Sequence, residues 1–296
     1  MLHGAFGTLG IITKIKFKLI EAKKFVSVEY YNYPNLEDYL QAIYTEYKNP
    51  KYDFMDGIIH NDKNYVLCLG KFVDEVPYYN TYTWNVYYKS TLKKKKDYLP
   101  TYDYFFRYDA DCHWSTRNYY LDNEIVRFLI GPILSSFILG SNNIIKLANN
   151  PIVKKLFPRE NRPDVIVDVF IPFEKINEFY NWYKAQFNYY PVWIVPYFVK
   201  KIYPWINPNH LKSLKDNLFI DFAIYGFKQP NDAKNYYKLL EDEVKELKGI
   251  KTLISHNYYD EKSFWEIYNK ELYDKVRKEV NPYNIFQNIF DKMVKG

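Results

Sequence analysis

Apolar residues in the second half of the chain alternate between short unbroken runs and helical spacing. Val165–Ile171 (VIVDVFI) is a β-branched run of strand length. The following FEKINEFYNWYKAQF places Phe173, Ile176, Phe179, Tyr180, Tyr183 and Phe187 at helical spacing. Pro191–Pro196 (PVWIVP) predicts a strand at a sheet edge, because prolines bound it. A basic, proline-containing loop leads to Leu218–Tyr225 (LFIDFAIY), a second β-branched and aromatic strand closed by Gly226. Asn231 is expected to cap the next helix, whose stripe is Ala233, Tyr236, Tyr237, Leu240, Val244 and Leu247, with Gly249 at its end. Lys251–Ser255 predicts a last strand. The order β-α-β-β-α-β is the split βαβ, or ferredoxin-like, arrangement.

A partial copy precedes it. Phe25–Tyr31 reads as a strand, and Asn35 caps a helix with Leu36, Tyr39, Leu40, Ile43 and Tyr47 on one face. Phe54–His60 and Tyr65–Phe72 form a hairpin around Asn61–Asn64. The expected class is α+β, with a mainly antiparallel sheet built from two ferredoxin-like halves and helices on one face. Asp74–Arg162 is irregular and expected to pack over that sheet, since so long a structureless loop does not suit a compact domain. Asp260–Lys292 reads as helical, interrupted at Asn281–Pro282.

Composition narrows the class. A chain of 296 residues, 48% hydrophobic and 20% aromatic, can bury one large core or two modest ones and is globular. Its many Tyr, Asn, Lys and Ile residues reflect a coding bias, so tyrosine pairs carry no chemistry by themselves. Net charge is +6, and the visible cluster Lys93–Lys96 reads as a solvated loop rather than a nucleic-acid patch. Two cysteines, Cys68 and Cys112, support neither a disulfide framework nor a metal site and suit a reducing, intracellular compartment. Five scattered histidines show no HxH or HExxH spacing. The apolar core of Ile125–Leu147 runs only from Phe128 to Leu139 and is broken at Gly131–Pro132, which suits a covered or membrane-surface helix better than a span.

Two carboxylates stand out within apolar strands. Asp168 shares a strand face with Ile166 and Phe170, and Asp221 shares one with Phe219, Ala223 and Tyr225. In the ferredoxin-like order their strands are neighbours, so the two carboxylates are expected close together on the helix-free face. A buried carboxylate needs a cation, a donor or a proton. Arg107, read as lying in an aromatic strand YDYFFRY, is the candidate cation. The pair serves either as a salt-bridged support or as part of a substrate pocket. His256 and Tyr258, after the last strand, are candidate proton donors reaching that pocket from a loop, and His113 is a weaker candidate. No GxSxG motif or P-loop is present.

Gly4, Gly7 and Gly10 bracket Thr8 and Leu9 and lead into Ile11–Leu19, which reads as a strand. Glycines let a backbone approach a ligand closely. The tract GAFGTLGIIT resembles the GxxGxLGIIT segment that closes the FAD-binding domain of vanillyl-alcohol-oxidase-type flavoproteins, where its backbone lies along the dinucleotide. Further on, AKKFVSVEY, YFFRYDADCHW, VDVFIPFEKI, YYPVWIVPYF, LFIDFAIYG and FWEIYNKELYDKVRKEV look, in order, like the delta-24-sterol reductases of that family. NPYNIFQNIF (Asn281–Phe290) resembles the DPxGxFxN signature, with Asn281 and Asn284 in place of its Asp and Gly.

The resemblance implies FAD as electron carrier, with contacts from Gly4, Gly7, Thr8, Gly10 and Ile12, and NADPH as donor. It also implies a sterol-like apolar substrate whose side-chain double bond is reduced. It divides the chain into the end of an FAD-binding domain (1–20), a cap or substrate domain (21–260) carrying the insertion 74–162, and returning helices (261–296). The family's pyrophosphate loop and membrane anchor are expected outside this chain. The chain is then either a fragment of a longer gene, a half working with a separately encoded FAD-binding partner, or a degenerate remnant, placed in the cytoplasm or peripheral to an internal membrane. The alternative is a non-catalytic binding module that retains an apolar pocket.

Overall fold

The computed structural model describes residues 4–82, 85–108, 122–130, 150–156, 164–200, 203–230 and 233–294. The strands are β1 (Phe25–Tyr33), β2 (Phe54–Asn61), β3 (Asn64–Val73), β4 (Lys96–Pro100), β5 (Val165–Pro172), β6 (Val192–Phe198), β7 (Leu218–Phe227) and β8 (Ile250–Lys251). The helices are α1 (Leu36–Lys48), α2 (Tyr87–Ser90), α3 (Thr101–Phe105), α4 (Glu124–Ile130), α5 (Pro151–Leu156) and α6 (Ile176–Gln186). They continue with α7 (Pro208–Leu211), α8 (Tyr236–Glu246), α9 (Glu261–Ile267), α10 (Lys270–Val280) and α11 (Ile289–Val294).

Among the described residues all strands join one eight-stranded sheet, β4-β1-β3-β2-β6-β7-β5-β8, with every pairing antiparallel. The fold is α+β, as the pattern predicts. In each half the third strand lies between the two that a helix links: β3 between β1 and β2, β7 between β5 and β6. The halves meet where Gly57–Ile59 of β2 pairs Val192–Ile194 of β6.

Strand alternation sorts the side chains into two cores. Val165, Val167, Val169 and Ile171 of β5, with Ile220, Phe222 and Ile224 of β7, meet the buried stripes of α1, α6 and α8. On the other face Val26, Val28, Ile58, Val66 and Cys68 are covered by Tyr82, Tyr87, Tyr88, Tyr104 and Tyr108. The insertion, expected to pack over the sheet rather than extend it, does both: β4 adds an edge strand beside β1, and the tyrosines around it cover the first half. Asn35 caps α1, its side chain accepting from the Asp38 N–H, and a third cluster joins the N-terminal tract to α9–α11.

Several expectations are corrected. The aromatic run at 101–108 is not a strand: Thr101–Phe105 is α3, and burial falls on Tyr104 and Tyr108 at i, i+4 while Tyr102, Phe105 and Phe106 are exposed. Strand β6 is interior rather than an edge. Its pairing with β2 ends at Ile194, so Pro196, whose missing N–H would break a ladder, pairs with β7 alone. Ile11–Leu19 forms no strand and is exposed throughout, Phe17 at 72%. The last strand covers only Ile250–Lys251. Asn231 lies outside the described residues, and α8 is capped by Asn235, which accepts from the N–H groups of Tyr237 and Lys238. Cys112 and His113 also lie outside the described residues, as does most of Ile125–Leu147. Among the described residues no helix is long and apolar enough to cross a membrane.

Candidate functional site

The register of β5 and β7 brings two carboxylates together. Asp168 lies opposite Ala223, and Asp221 lies opposite Phe170, so the two aspartates are diagonal neighbours on the face away from α6 and α8. Tyr225, two residues beyond Ala223 on β7, donates its hydroxyl to Asp168 Oδ1 at 2.5 Å. Asp221 is 9% exposed and its Oδ1 has no hydrogen-bond partner. Burial, and then the charge of Asp168, push the Asp221 carboxyl well above the usual carboxylate range. Burial also raises Asp168, while the bond from Tyr225 works against that rise. Burial and Asp168 together raise Tyr225. Trp193, opposite Ala223, and Val195, opposite Asp221, continue the face onto β6, with Phe219 and Tyr197 at its end.

Arg107 does not serve this pair. Its Nη2 donates to Asp56 Oδ1 at 3.0 Å, and its guanidinium lies 3.9 Å from the Tyr104 ring centre and 4.6 Å from that of Tyr108. Asp56 Oδ2 accepts from the Tyr108 hydroxyl at 2.7 Å and from Trp193 Nε1 at 2.9 Å. Arg107 therefore locks this part of the insertion onto β2 and, through Asp56 and Trp193, onto the seam with β6. Asp56 was missed in the sequence, although its signal, a lone carboxylate in an apolar strand, is the one that singles out Asp168 and Asp221.

His256 and Tyr258 are also apart from the carboxylates. Both rings pack on Tyr237, which belongs to the helix-covered core, so they lie on the opposite side of the sheet. Their loop is fixed from beneath by a fully buried pair, Lys251 Nζ to Glu241 Oε1 at 3.0 Å. The lysine also donates to the His256 carbonyl and to Asn257 Oδ1, and Glu241 accepts the Tyr258 N–H. Burial lowers Lys251 and raises Glu241, and each partner opposes the other's shift. These contacts hold the loop's backbone on the helix side of the sheet, across from the Asp168 face.

The glycine tract is a turn clamped onto the C-terminal helices. Gly4 and Gly7 have φ of 77° and 76°, a conformation that a side chain resists. Thr8 is buried: its hydroxyl donates to the Ala5 carbonyl at 2.7 Å and accepts from the Tyr273 hydroxyl at 3.0 Å. Arg277 donates to the Thr8 carbonyl and Lys292 to the Phe6 carbonyl. A Cβ on Gly4 would meet Trp205 Nε1 at 3.1 Å. One on Gly10 would meet nothing within 4 Å, and one on Gly7 only Lys292 Nζ at 3.6 Å. Space beside the backbone is thus open at Gly7 and Gly10 and bounded by Trp205 at Gly4, Thr8 points inward, and Ile12 is exposed. Beside the clamp, Asn281 Oδ1 accepts from the N–H groups of Ile285 and Phe286, and Asn284 sits at φ 52°. Asn281 thereby does what an aspartate would do, and Asn284 occupies a conformation that asparagine tolerates better than other side chains.

No family model matches the chain. Curated relatives share its sequence from end to end. Delta(24)-sterol reductase of Rattus norvegicus is 23% identical over 305 residues, which is 98% of this chain and 57% of the relative. The Homo sapiens protein of the same name shows the same identity and coverage, and that of Arabidopsis thaliana is 22% identical over 332 residues. The chain spans 57% of the length of these relatives. Over that span it is a protein similar to the sterol reductases.

Proposed function

We propose that the chain is the substrate-holding part of an FAD-dependent oxidoreductase that reduces a carbon–carbon double bond in a sterol-like molecule, with NADPH as electron source. The observation that carries this reading is the pair of shielded carboxylates, Asp168 and Asp221, on an aromatic face of the sheet. A flat apolar substrate needs such walls, here Trp193, Phe219, Tyr225 and Phe170, and its reduction needs a proton kept out of water. Similarity to Delta(24)-sterol reductases over 98% of the chain supports the same reading.

The open backbone at Gly7 and Gly10, with Lys292 beside it, fits one edge of a dinucleotide, and these residues would hold it. FAD bound there supplies the electron pair. The remaining flavin contacts belong to an FAD-binding domain, in the same or a partner polypeptide. Exposed Ile125, Phe128 and Leu129 on α4 support contact with a membrane surface, where sterols reside.

The test supplies the chain with the FAD-binding domain of a Delta(24)-sterol reductase, FAD, NADPH and a sterol bearing a side-chain double bond. The expected result is a sterol heavier by two hydrogens, read by mass spectrometry. Quenching of Trp193 fluorescence on sterol addition, lost in Trp193→Phe, is expected alongside it. Quenching without reduction would assign the chain to ligand binding alone, and the absence of both signals would overturn the sterol reading.

A further inference from the structure

We propose that Asp168 and Asp221 hold one proton between them, that Asp221 carries it, and that this O–H bond is the proton source for the reduced substrate. The substrate half of this inference rests on the function proposed above; the shared proton does not.

The geometry is asymmetric. Asp168 receives the Tyr225 hydroxyl at 2.5 Å, a donor that favours the ionised form. Asp221, the diagonal neighbour of Asp168 by register, is buried with an unpartnered Oδ1. An unpaired buried carboxylate is costly, and two neighbouring buried carboxylates cannot both ionise cheaply. The neutral acid relieves both costs, and it belongs on the member without a donor.

Among the described residues, the neighbouring strands place no cation beside the pair. On β7 the neighbours are Phe219, Ala223 and Tyr225; on β5 they are Ile166 and Phe170; on β6 they are Val195 and Tyr197, whose hydroxyl pairs with Tyr203. Lys251 on β8 lies opposite Val169 and so points to the helix side. Arg107 is held at Asp56. Among the described residues, no lysine, arginine or histidine acts on either carboxylate.

The step balances as follows. A hydride donor of the reduced flavin or dihydronicotinamide class delivers the electron pair and one hydrogen to one alkene carbon, breaking the π bond. The Asp221 O–H bond breaks as a C–H bond forms at the other carbon, leaving Asp221 ionised. Water then returns the proton to the pair.

Two readouts need no turnover. A carboxyl whose proton affinity is raised by folding stabilises the fold fully at low pH, and that contribution is lost as pH rises through its folded value. The wild-type melting temperature is therefore expected to fall as pH rises above the ordinary carboxylate range. Asp221→Asn is expected to flatten that slope and to be the more stable protein at the alkaline end. Infrared spectra at neutral pH should show a carboxylic-acid carbonyl stretch that survives in Asp168→Asn and disappears in Asp221→Asn. Absence of the band in the wild type, or an unchanged slope in Asp221→Asn, would overturn the shared proton.

In the reconstituted reductase, Asp221→Asn is expected to lower kcat by about 100-fold or more while KM is little changed. Full turnover in that variant, with the band confirmed, would overturn the role as proton source. A wild type that shows the band but reduces no sterol would instead sink the functional reading.

Discussion

Arg107 ties Asp56 of β2 to the rings of Tyr87, Tyr104 and Tyr108 on the tyrosine-covered face. Its side chain and that of Asp56 are 8% and 6% exposed, so neither charge can be left behind in water if the other is removed. Arg107→Met should leave Asp56 with only the Tyr108 and Trp193 donors and cost about 3–5 kcal/mol, read from urea unfolding. Arg107→Lys should recover little of that loss, because an ammonium cannot lie flat against Tyr104 and Tyr108 while forking to Asp56. The double variant Arg107→Met/Asp56→Leu should recover much of it. Equal losses for the single and double variants would mean that packing, not an uncompensated charge, sets the cost. The same residue shows where sequence reasoning stops. Alternation was enough to place Asp168 and Asp221 on one face, because strand period and register are local properties. Which carboxylate Arg107 meets depends on how the chain folds back after β4, and no spacing encodes that return.

At the scale of elements, periodic patterns were legible and unpaired ones were not. Helices α1 and α6 and the β2–β3 hairpin follow from their stripes and caps, whereas Ile11–Leu19 has a strand's composition but no partner strand among the described residues. The run at 101–108 misled because its residues are aromatic throughout, leaving period two and period 3.6 equally visible. The turn before that unpaired segment is held by side chains far away in sequence. Tyr273 donates to Thr8 and also accepts the Ile289 N–H, so one hydroxyl ties α10, α11 and the Gly4–Gly10 turn together. Tyr273→Phe should therefore free the turn without emptying the core. Faster amide exchange confined to residues 5–9 and 288–290, with a stability loss of about 1–2 kcal/mol, is the expected outcome. Exchange that rises evenly across β5 and β7 would show that the clamp is not a separate unit.

The whole molecule is bound by a seam rather than a linker. Strands β2 and β6 share only three paired residues on each side, yet the helix-covered core runs without interruption across them, and the Tyr65 and Tyr180 hydroxyls meet over it at 3.0 Å. Tertiary burial shared in this way couples the two halves, so heat should unfold them in one transition. Gly57 is the most exacting position in that seam. A Cβ there would stand 2.0 Å from the Tyr39 hydroxyl and 2.6 Å from the Val66 carbonyl oxygen, and the second of these is backbone that cannot swing aside. Gly57→Ala must push α1 away from β2 or shift β2 against β3, and overpacking of this kind costs about 1–3 kcal/mol or more. Because β2 carries the contact to β6, the damage should not remain in the first half. Calorimetry of Gly57→Ala is expected to show a lower melting temperature with still a single peak, and amide protection should fall in β7 as well as in β3. Two resolved peaks, with β5–β7 keeping wild-type protection, would mean that the halves are independent units joined only by strand pairing.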